Sequence, residues 1–162
     1  EKFANTFFWR DLQMKNNIIL FGLGAFGYGL IEVLWRGYSH PSMMVAGGIS
    51  FSVFAQISEK LKGVPLLYKC ILGSLTVTAI ELIFGTVLNL KLGLGVWDYS
   101  NIPLNLGGQI CLLFSCMWGL LCLVAIPAAG LVSKRLKGVP PKTKERSTTY
   151  ELSPQGLGRN RP

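Results

Sequence analysis

Four apolar runs, each long or nearly long enough to cross a bilayer, constrain the fold of this chain more than any other feature. They cover residues 17–35, 41–57, 66–90 and 103–132. A spanning helix needs roughly 20 residues of low polarity. A backbone in lipid must satisfy its own hydrogen bonds, which favours helices. The runs therefore predict an all-α membrane protein with four transmembrane helices.

The length and composition of the chain agree with this class. Its 162 residues suit one domain, half of them are hydrophobic, and only 15% are charged. We divide the chain into an interfacial or disordered N-terminal segment at 1–16, a transmembrane domain at 17–135, and a basic, disordered C-terminal tail at 136–162.

The basic residues predict the orientation. The chain has 16 Lys and Arg against 8 Asp and Glu, for a net charge of +8. They concentrate in the N-terminal segment, the second connection and the tail, which all lie on one side of a four-helix arrangement. Cytoplasmic loops carry such an excess, so both termini are predicted to be cytoplasmic. This topology pattern also argues against nucleic acid as a partner.

Two acidic residues lie inside the apolar runs, Glu32 in the first and Glu81 in the third. An ionisable group at that depth costs roughly 2.5–3.5 kcal/mol on insertion scales, so it should face protein or water. One interpretation is a proton, cation or substrate site, in which the two carboxylates approach and share a proton. The other is a structural hydrogen bond, and Glu32 could simply pair with Arg36 one turn later.

Small and polar residues recur at helical spacing on two of the runs. In the third run Ser74, Thr78 and Glu81 share a face with Gly85, which makes Ser74 and Thr78 candidate members of the polar site. Such faces allow neighbouring helices to approach closely. The first run carries a comparable stripe, which consists of Gly22, Ala25, Gly29, Glu32 and Arg36.

Short matches suggest an internal duplication. Ile31-Glu32 resembles Ile80-Glu81, and Gly47-Gly48 resembles Gly107-Gly108. Two tandem helical hairpins related by a pseudo-twofold axis along the membrane normal would explain them.

The segment before the fourth run holds the remaining candidates. Asp98 is placed to cap free N–H groups, and Trp97 and Tyr99 suit an interfacial aromatic belt. Asn105 and Gln109 are expected one turn apart at the outer end of the fourth helix, where they either line the polar site or bond across helices.

Residues 97–111 resemble the W-D-Y-S-x-x-P-x-N-x-x-G-x-I-C motif of small bacterial membrane proteins labelled ABC-transporter permeases of the CmpB type. Trp97, Asp98, Tyr99 and Ser100 form its first part. The resemblance extends over about residues 17–135 and implies a polytopic protein of the bacterial cytoplasmic membrane with a transport role. The sequence has no G-x-x-x-x-G-K-[ST] motif, so an ATPase subunit would be a separate chain.

Three functions follow from these observations. The first is an integral membrane subunit of a transporter with a polar centre built on Glu32 and Glu81, working as a homodimer or with other membrane subunits. The second is a membrane scaffold that binds a partner through glycine faces. The third is a membrane enzyme acting on lipid, although no catalytic grouping, metal site or cofactor motif is evident.

Overall fold

The computed structural model describes the backbone from Lys2 to Gly138 and the side chains from Met14 onwards. Four α-helices dominate it. A π-helical turn extends the third helix, and a two-stranded antiparallel hairpin precedes the fourth. The elements are α1 (Lys2–Arg36), α2 (Pro41–Lys60), α3 (Leu66–Gly85), the π-helical turn (Thr86–Lys91), β1 (Asn105–Leu106), β2 (Ile110–Cys111) and α4 (Leu112–Lys137).

Three helical segments are long and apolar enough to cross a membrane: Met14–Arg36, Leu66–Lys91 and Leu112–Lys137. Many of their large apolar side chains are exposed on the outside of the bundle, as expected for side chains that contact lipid. The helical membrane fold predicted from the apolar runs is therefore confirmed. Helix α2 is not among these three segments, so its crossing of the membrane remains a prediction.

The helices pack around a core between α2, α3 and α4. Phe54 of α2, Cys70 of α3, and Cys122 and Ile126 of α4 are buried there. Helix α1 packs on α2 and touches α4 more sparsely. This sparse contact leaves a space between α1 and α4.

Polar contacts define the two ends of the bundle. At one end, called here the terminal end, Glu59 of α2 accepts hydrogen bonds of 2.5 Å from Ser133 and from Lys137 of α4. At the other end, called here the loop end, Arg36 of α1 donates to the carbonyl oxygen of Val96 at 3.0 Å. The α1–α2 turn and the segment from 92 to 111 therefore lie together at the loop end.

Glycines allow α1 and α2 to pack closely. A Cβ atom added to Gly24 would collide with Phe51 and with the backbone of Gly47, and one added to Gly47 would collide with Tyr28. By contrast, Gly22 has no heavy atom within 4 Å of such a Cβ position. Gly29 of the predicted stripe also packs on α2, since a Cβ atom added there would lie 3.1 Å from Met44, so the packing face of α1 includes Gly24 and Gly29 but not Gly22.

Replacing Gly24 by alanine is expected to destabilise the bundle by about 1–3 kcal/mol, because the added methyl group has no space. The matched variant Gly22→Ala places the same methyl group in open space and is expected to be neutral or stabilising by up to about 1 kcal/mol. Reversible unfolding in mixed micelles measures both. Equal losses for the two variants would contradict the packing described here.

The fourth helix begins later than predicted. Residues 103–111 were expected to start it, but α4 begins at Leu112, and the hairpin with its preceding turn occupies the earlier positions. Leu104, Gly107 and Gly108 have φ values of 57°, 58° and 69°. A run of left-handed conformations cannot belong to a right-handed helix. Apolar content alone did not reveal this break.

The two glycine pairs of the proposed duplication have different conformations. Gly47-Gly48 lies within α2 and contacts α1, whereas Gly107-Gly108 connects the strands of the hairpin with positive φ at both positions. The two matched segments therefore have different structural roles, since one packs two helices together and the other forms a turn.

At the two ends of the chain, most side chains lie outside the part that the structure describes. The backbone of α1 is continuous from Lys2, but the side chains that would define an interfacial segment at 1–16 lie mostly outside the described residues. The predicted disordered tail also lies mostly outside them.

Candidate solute-binding site

Glu81 is a buried acceptor between α3, α4 and the loop end. The residue is only 2% exposed. The indole Nε1–H of Trp118 donates to Oε2 at 2.9 Å, and the hydroxyl of Tyr99 donates to Oε1 at 3.4 Å. Both carboxylate oxygens therefore have a partner, and Glu81 ties a residue of the loop to α4.

Glu32 is held by the end of its own helix and the following turn. Arg36 Nη2 donates to Oε1 at 2.7 Å, and the hydroxyl of Ser39 donates to Oε2 at 2.7 Å. The ion pair predicted between Glu32 and Arg36 is confirmed. Residue Glu32 is 9% exposed, and its carboxylate faces the space between α1 and the loop end.

The structure places the two glutamates on the same side of the bundle without joining them. None of the described hydrogen bonds connects the carboxylates, and each has its own donors. Tyr28 lines the same cavity as Glu32, and its ring is 5.8 Å from that of Trp118, which donates to Glu81. The two carboxylates are therefore connected through aromatic side chains and not by a direct hydrogen bond. The described hydrogen bonds give no support to a proton shared between them.

Ser74 and Thr78 join α3 to α4. The hydroxyl of Ser74 donates to the carbonyl oxygen of Ser115 at 2.5 Å, and that of Thr78 donates to the Ser115 hydroxyl at 2.9 Å. Together with Glu81 they form one hydrogen-bonding face of α3 towards α4. This arrangement positions the helix that carries Glu81.

A hydrogen-bonded core holds the loop end together around Gln109 and Asn89. Asn89 Nδ2 donates to Oε1 of Gln109 at 2.8 Å, and its Oδ1 accepts from the backbone of Val96 at 2.7 Å. Trp97 is buried, and its Nε1–H donates to the carbonyl oxygen of Gln109 at 2.9 Å. Asn105 bonds to the backbone at Ser100, Ile102 and Gly108.

Gln109 and Asn105 thus lie in the loop and hairpin, and the expectation that they are one turn apart on a helix is wrong. Their amides satisfy backbone groups that the irregular segment leaves free. Trp97 likewise belongs to the core of the loop rather than to an exposed aromatic belt.

Asp98 caps a turn instead of a helix. Its Oδ1 accepts from the Ser100 hydroxyl at 2.5 Å and from the Ser100 backbone N–H at 2.8 Å. These hydrogen bonds stabilise the charged carboxylate and hold the pKa of Asp98 below its ordinary value of 3.8. The prediction that Asp98 caps the fourth helix is therefore wrong, because α4 begins at Leu112 and the carboxylate caps the turn at residues 98–100.

Replacing Ser100 by alanine is expected to raise the pKa of Asp98 towards 3.8, because the hydroxyl donor is lost. A depressed folded-state pKa means that the stabilising contribution is present above the ordinary pKa and is lost as the pH falls through the folded pKa. NMR of carboxyl-labelled aspartate across the acidic range measures the shift. Asn101→Ala, a change at an exposed neighbour, is the control and should leave the titration unchanged.

A cavity of about 700 Å³ opens between α1, α4 and the loop end. Its charged lining residues are Glu32, Arg36 and Asp98. The remaining lining is apolar or aromatic, and several of these side chains are exposed at the rim, including Trp35, Met117 and Leu120. The aromatic residues that line it are Tyr28, Trp35, Tyr38, Trp97, Tyr99, Phe114 and Trp118.

A smaller apolar cavity of about 160 Å³ continues from it between α1 and α4. The two cavities share Tyr28, Ile31, Trp118 and Leu121. Gly27 of α1 lines the smaller cavity, and a Cβ atom added there would have no heavy atom within 4 Å. We refer to this smaller cavity as the apolar groove.

Several residues of this site were missed by the sequence reasoning. The predicted site residues did not include Tyr28, Trp118 or Asn89. A buried carboxylate needs donors, and Trp118 was the nearest indole in the next helix, so a search for partners of Glu81 could have found it. The role of Asn89 depends on the π-helical turn and has no comparable signal.

A family model described as "Putative ABC-transporter type IV" (ABC_trans_CmpB) matches residues 5–150. No curated protein and no solved structure matches the sequence. The match covers most of the chain, including all four helices from residue 5 and the loop end. The chain is a membrane protein that belongs to the ABC_trans_CmpB family.

Proposed function

We propose that the chain is the membrane-embedded subunit of a transporter and that the loop-end cavity receives the transported solute. The cavity is the observation that carries this proposal. It combines a volume suited to a small organic molecule with a few charged groups in a largely apolar lining, which is typical of ligand sites. The family to which the chain belongs supports a transport-related role.

Within this proposal, Glu32 contacts the solute and Glu81 positions the aromatic wall of the cavity. Glu32 lines the cavity directly, whereas Glu81 holds Tyr99 and Trp118, which line it. Ser74 and Thr78 fix α3 against α4. Asn105 and Gln109 keep the shape of the loop, so their substitution would act through positioning rather than through contact with solute.

The proposed arrangement has four helices crossing the bacterial cytoplasmic membrane with both termini in the cytoplasm. The basic residues at the terminal end support this orientation. The loop-end cavity would then open on the opposite side of the membrane. Because four helices are few for a translocation path, we propose a homodimer or an assembly with other membrane subunits, powered by a separate ATPase chain.

The scaffold alternative has weaker support. It relied on glycine faces available to a partner, but Gly24, Gly47 and Gly48 are used in the contact between α1 and α2. Of the glycines of α1, Gly22 and Gly27 have open space beside them, so a partner surface would be limited to that side of the helix. A scaffold function does not require a cavity of this size, which favours the transporter subunit.

The test compares Glu32→Gln with wild-type protein in membrane vesicles from the source organism, which contain any partner subunits. We expect uptake of at least one member of a panel of labelled cationic, anionic and neutral organic solutes to depend on the chain. This uptake should fall about tenfold or more in Glu32→Gln while assembly, measured by size-exclusion chromatography, is unchanged. Uptake that is identical with and without the chain for the whole panel would contradict a transport role.

A further inference from the structure

We infer that the ligand of the loop-end cavity is an amphipathic organic cation, with its ammonium group among the aromatic side chains and its alkyl part in the apolar groove. This inference rests on the proposed function and names the substrate class. It is carried by the charges of the lining, the aromatic side chains and the continuity of the two cavities.

The charges of the lining favour a cation. Glu32 and Asp98 contribute two carboxylates, and Arg36 contributes one guanidinium that is paired with Glu32 at 2.7 Å. Pairing leaves the carboxylate of Asp98 without a cationic partner among the described residues. Glu81 adds a third acidic group immediately behind the aromatic wall.

Arg36 is poorly placed to bind an anionic ligand. Its Nη1 donates to the carbonyl oxygen of Val96 and its Nη2 to Glu32. Its Nε is buried and has no hydrogen-bond partner. Two of the five N–H groups of Arg36 are thus bonded within the protein, and its charge is paired with Glu32, so an acidic ligand would have to compete with that carboxylate.

The aromatic side chains supply the other half of the recognition. Ring faces attract cations, most strongly those of Trp and Tyr. One such contact is already present at this site, since the guanidinium carbon of Arg36 lies 4.7 Å from the centre of the Tyr38 ring. Trp35, Tyr28 and Trp118 line the same cavity and offer further rings to an ammonium group.

The apolar groove provides a place for an alkyl chain. It begins where Tyr28, Ile31, Trp118 and Leu121 line both cavities, and it runs between α1 and α4 past Gly27. A molecule with a cationic head and an apolar tail would therefore contact matching surfaces at both ends. A small, fully hydrated cation would leave the groove unused.

A chain-length series of alkyltrimethylammonium ions from butyl to octyl, added to protein in maltoside micelles, tests this inference. Binding is followed by tryptophan fluorescence, because Trp35, Trp97 and Trp118 line the cavity. In wild-type protein, affinity should rise with tail length, by up to about fourfold for each methylene that is fully buried. Alkylsulfonates of the same lengths should bind at least about tenfold more weakly than the cations, because the guanidinium of the lining is paired with Glu32 while the carboxylate of Asp98 has no cationic partner among the described residues.

Two pairs of variants make the test specific. Gly27→Leu fills the apolar groove and should remove the dependence on tail length while short cations still bind. Gly22→Leu is the matched control, because Gly22 also has open space but lines neither cavity. Trp35→Leu should weaken all the cations about three- to tenfold. Tyr68→Leu, at an exposed aromatic residue of α3 outside both cavities, should not.

The cation could come from a soluble solute or from a lipid headgroup, and a comparison at equal tail length separates these sources. Tighter binding of octylphosphocholine than of octyltrimethylammonium supports a headgroup, and the reverse order supports a soluble amphipathic cation. Tighter binding of the sulfonates, or equal effects of Gly27→Leu and Gly22→Leu, would overturn the inference. The proposed function would survive that result if vesicle uptake still depended on Glu32.

Discussion

Replacing Glu81 by alanine is expected to lower the free energy of unfolding by about 2–5 kcal/mol. The substitution leaves the indole N–H of Trp118 and the hydroxyl of Tyr99 without their acceptor in the interior of the bundle. It also opens space beside a residue that is 2% exposed. Reversible unfolding in mixed micelles measures the change.

Two variants control for this result. Glu81→Gln keeps an acceptor oxygen for one donor and should lose distinctly less stability than Glu81→Ala. Thr76→Ala removes a hydroxyl from an exposed position of the same helix, where it bonds only to the carbonyl oxygen of Leu72. A loss for Glu81→Ala as small as that for Thr76→Ala would show that Glu81 does not hold α4 and the loop.

Replacing Trp97 by alanine is expected to destabilise the protein by about 3–5 kcal/mol, because a large buried ring is removed from the core of the loop end. Trp97 is 8% exposed and packs with Met43 and Val96. Its ring also lies beside Gly85 at the end of α3, and its indole N–H is bonded to Gln109.

Trp35→Ala provides the comparison for size, because Trp35 is 75% exposed and makes no hydrogen bond among the described side chains. Its loss should cost less than about 1 kcal/mol of stability. Trp97→Phe should fall between the two, since it keeps an aromatic ring but removes the indole donor. Both tryptophan-to-alanine variants being equally stable would contradict a packed core at the loop end.

The sequence was most informative where polar residues repeat on an apolar helix. Ser74, Thr78 and Glu81 could be assigned to one face of α3 because a polar group in lipid needs a partner, and the structure turns that face towards α4. The pairing of Glu32 with Arg36 was also predictable, because residues four apart are neighbours on a helix.

The loop end and the cavity were not predictable to the same degree. The hairpin depends on left-handed conformations at Leu104, Gly107 and Gly108 within an apolar stretch that also suits a helix. The cavity depends on how far α1 lies from α4, which is a tertiary property. The spacing of residues along a helix shows which of them share a face. It does not show whether a neighbouring helix packs on that face or leaves a cavity beside it.

Because Glu32 is proposed to contact the solute and Glu81 to position the wall of the same cavity, their effects on uptake should be coupled. A double-mutant cycle on vesicle uptake measures this coupling most directly. Glu32→Gln, Glu81→Gln and the double variant are compared with wild type, using a solute whose uptake the wild-type chain supports and preparations of equal assembly. We predict that the two losses are not additive, with a coupling energy of about 0.5–3 kcal/mol. Fully additive losses, or uptake unchanged in the double variant, would contradict the claim.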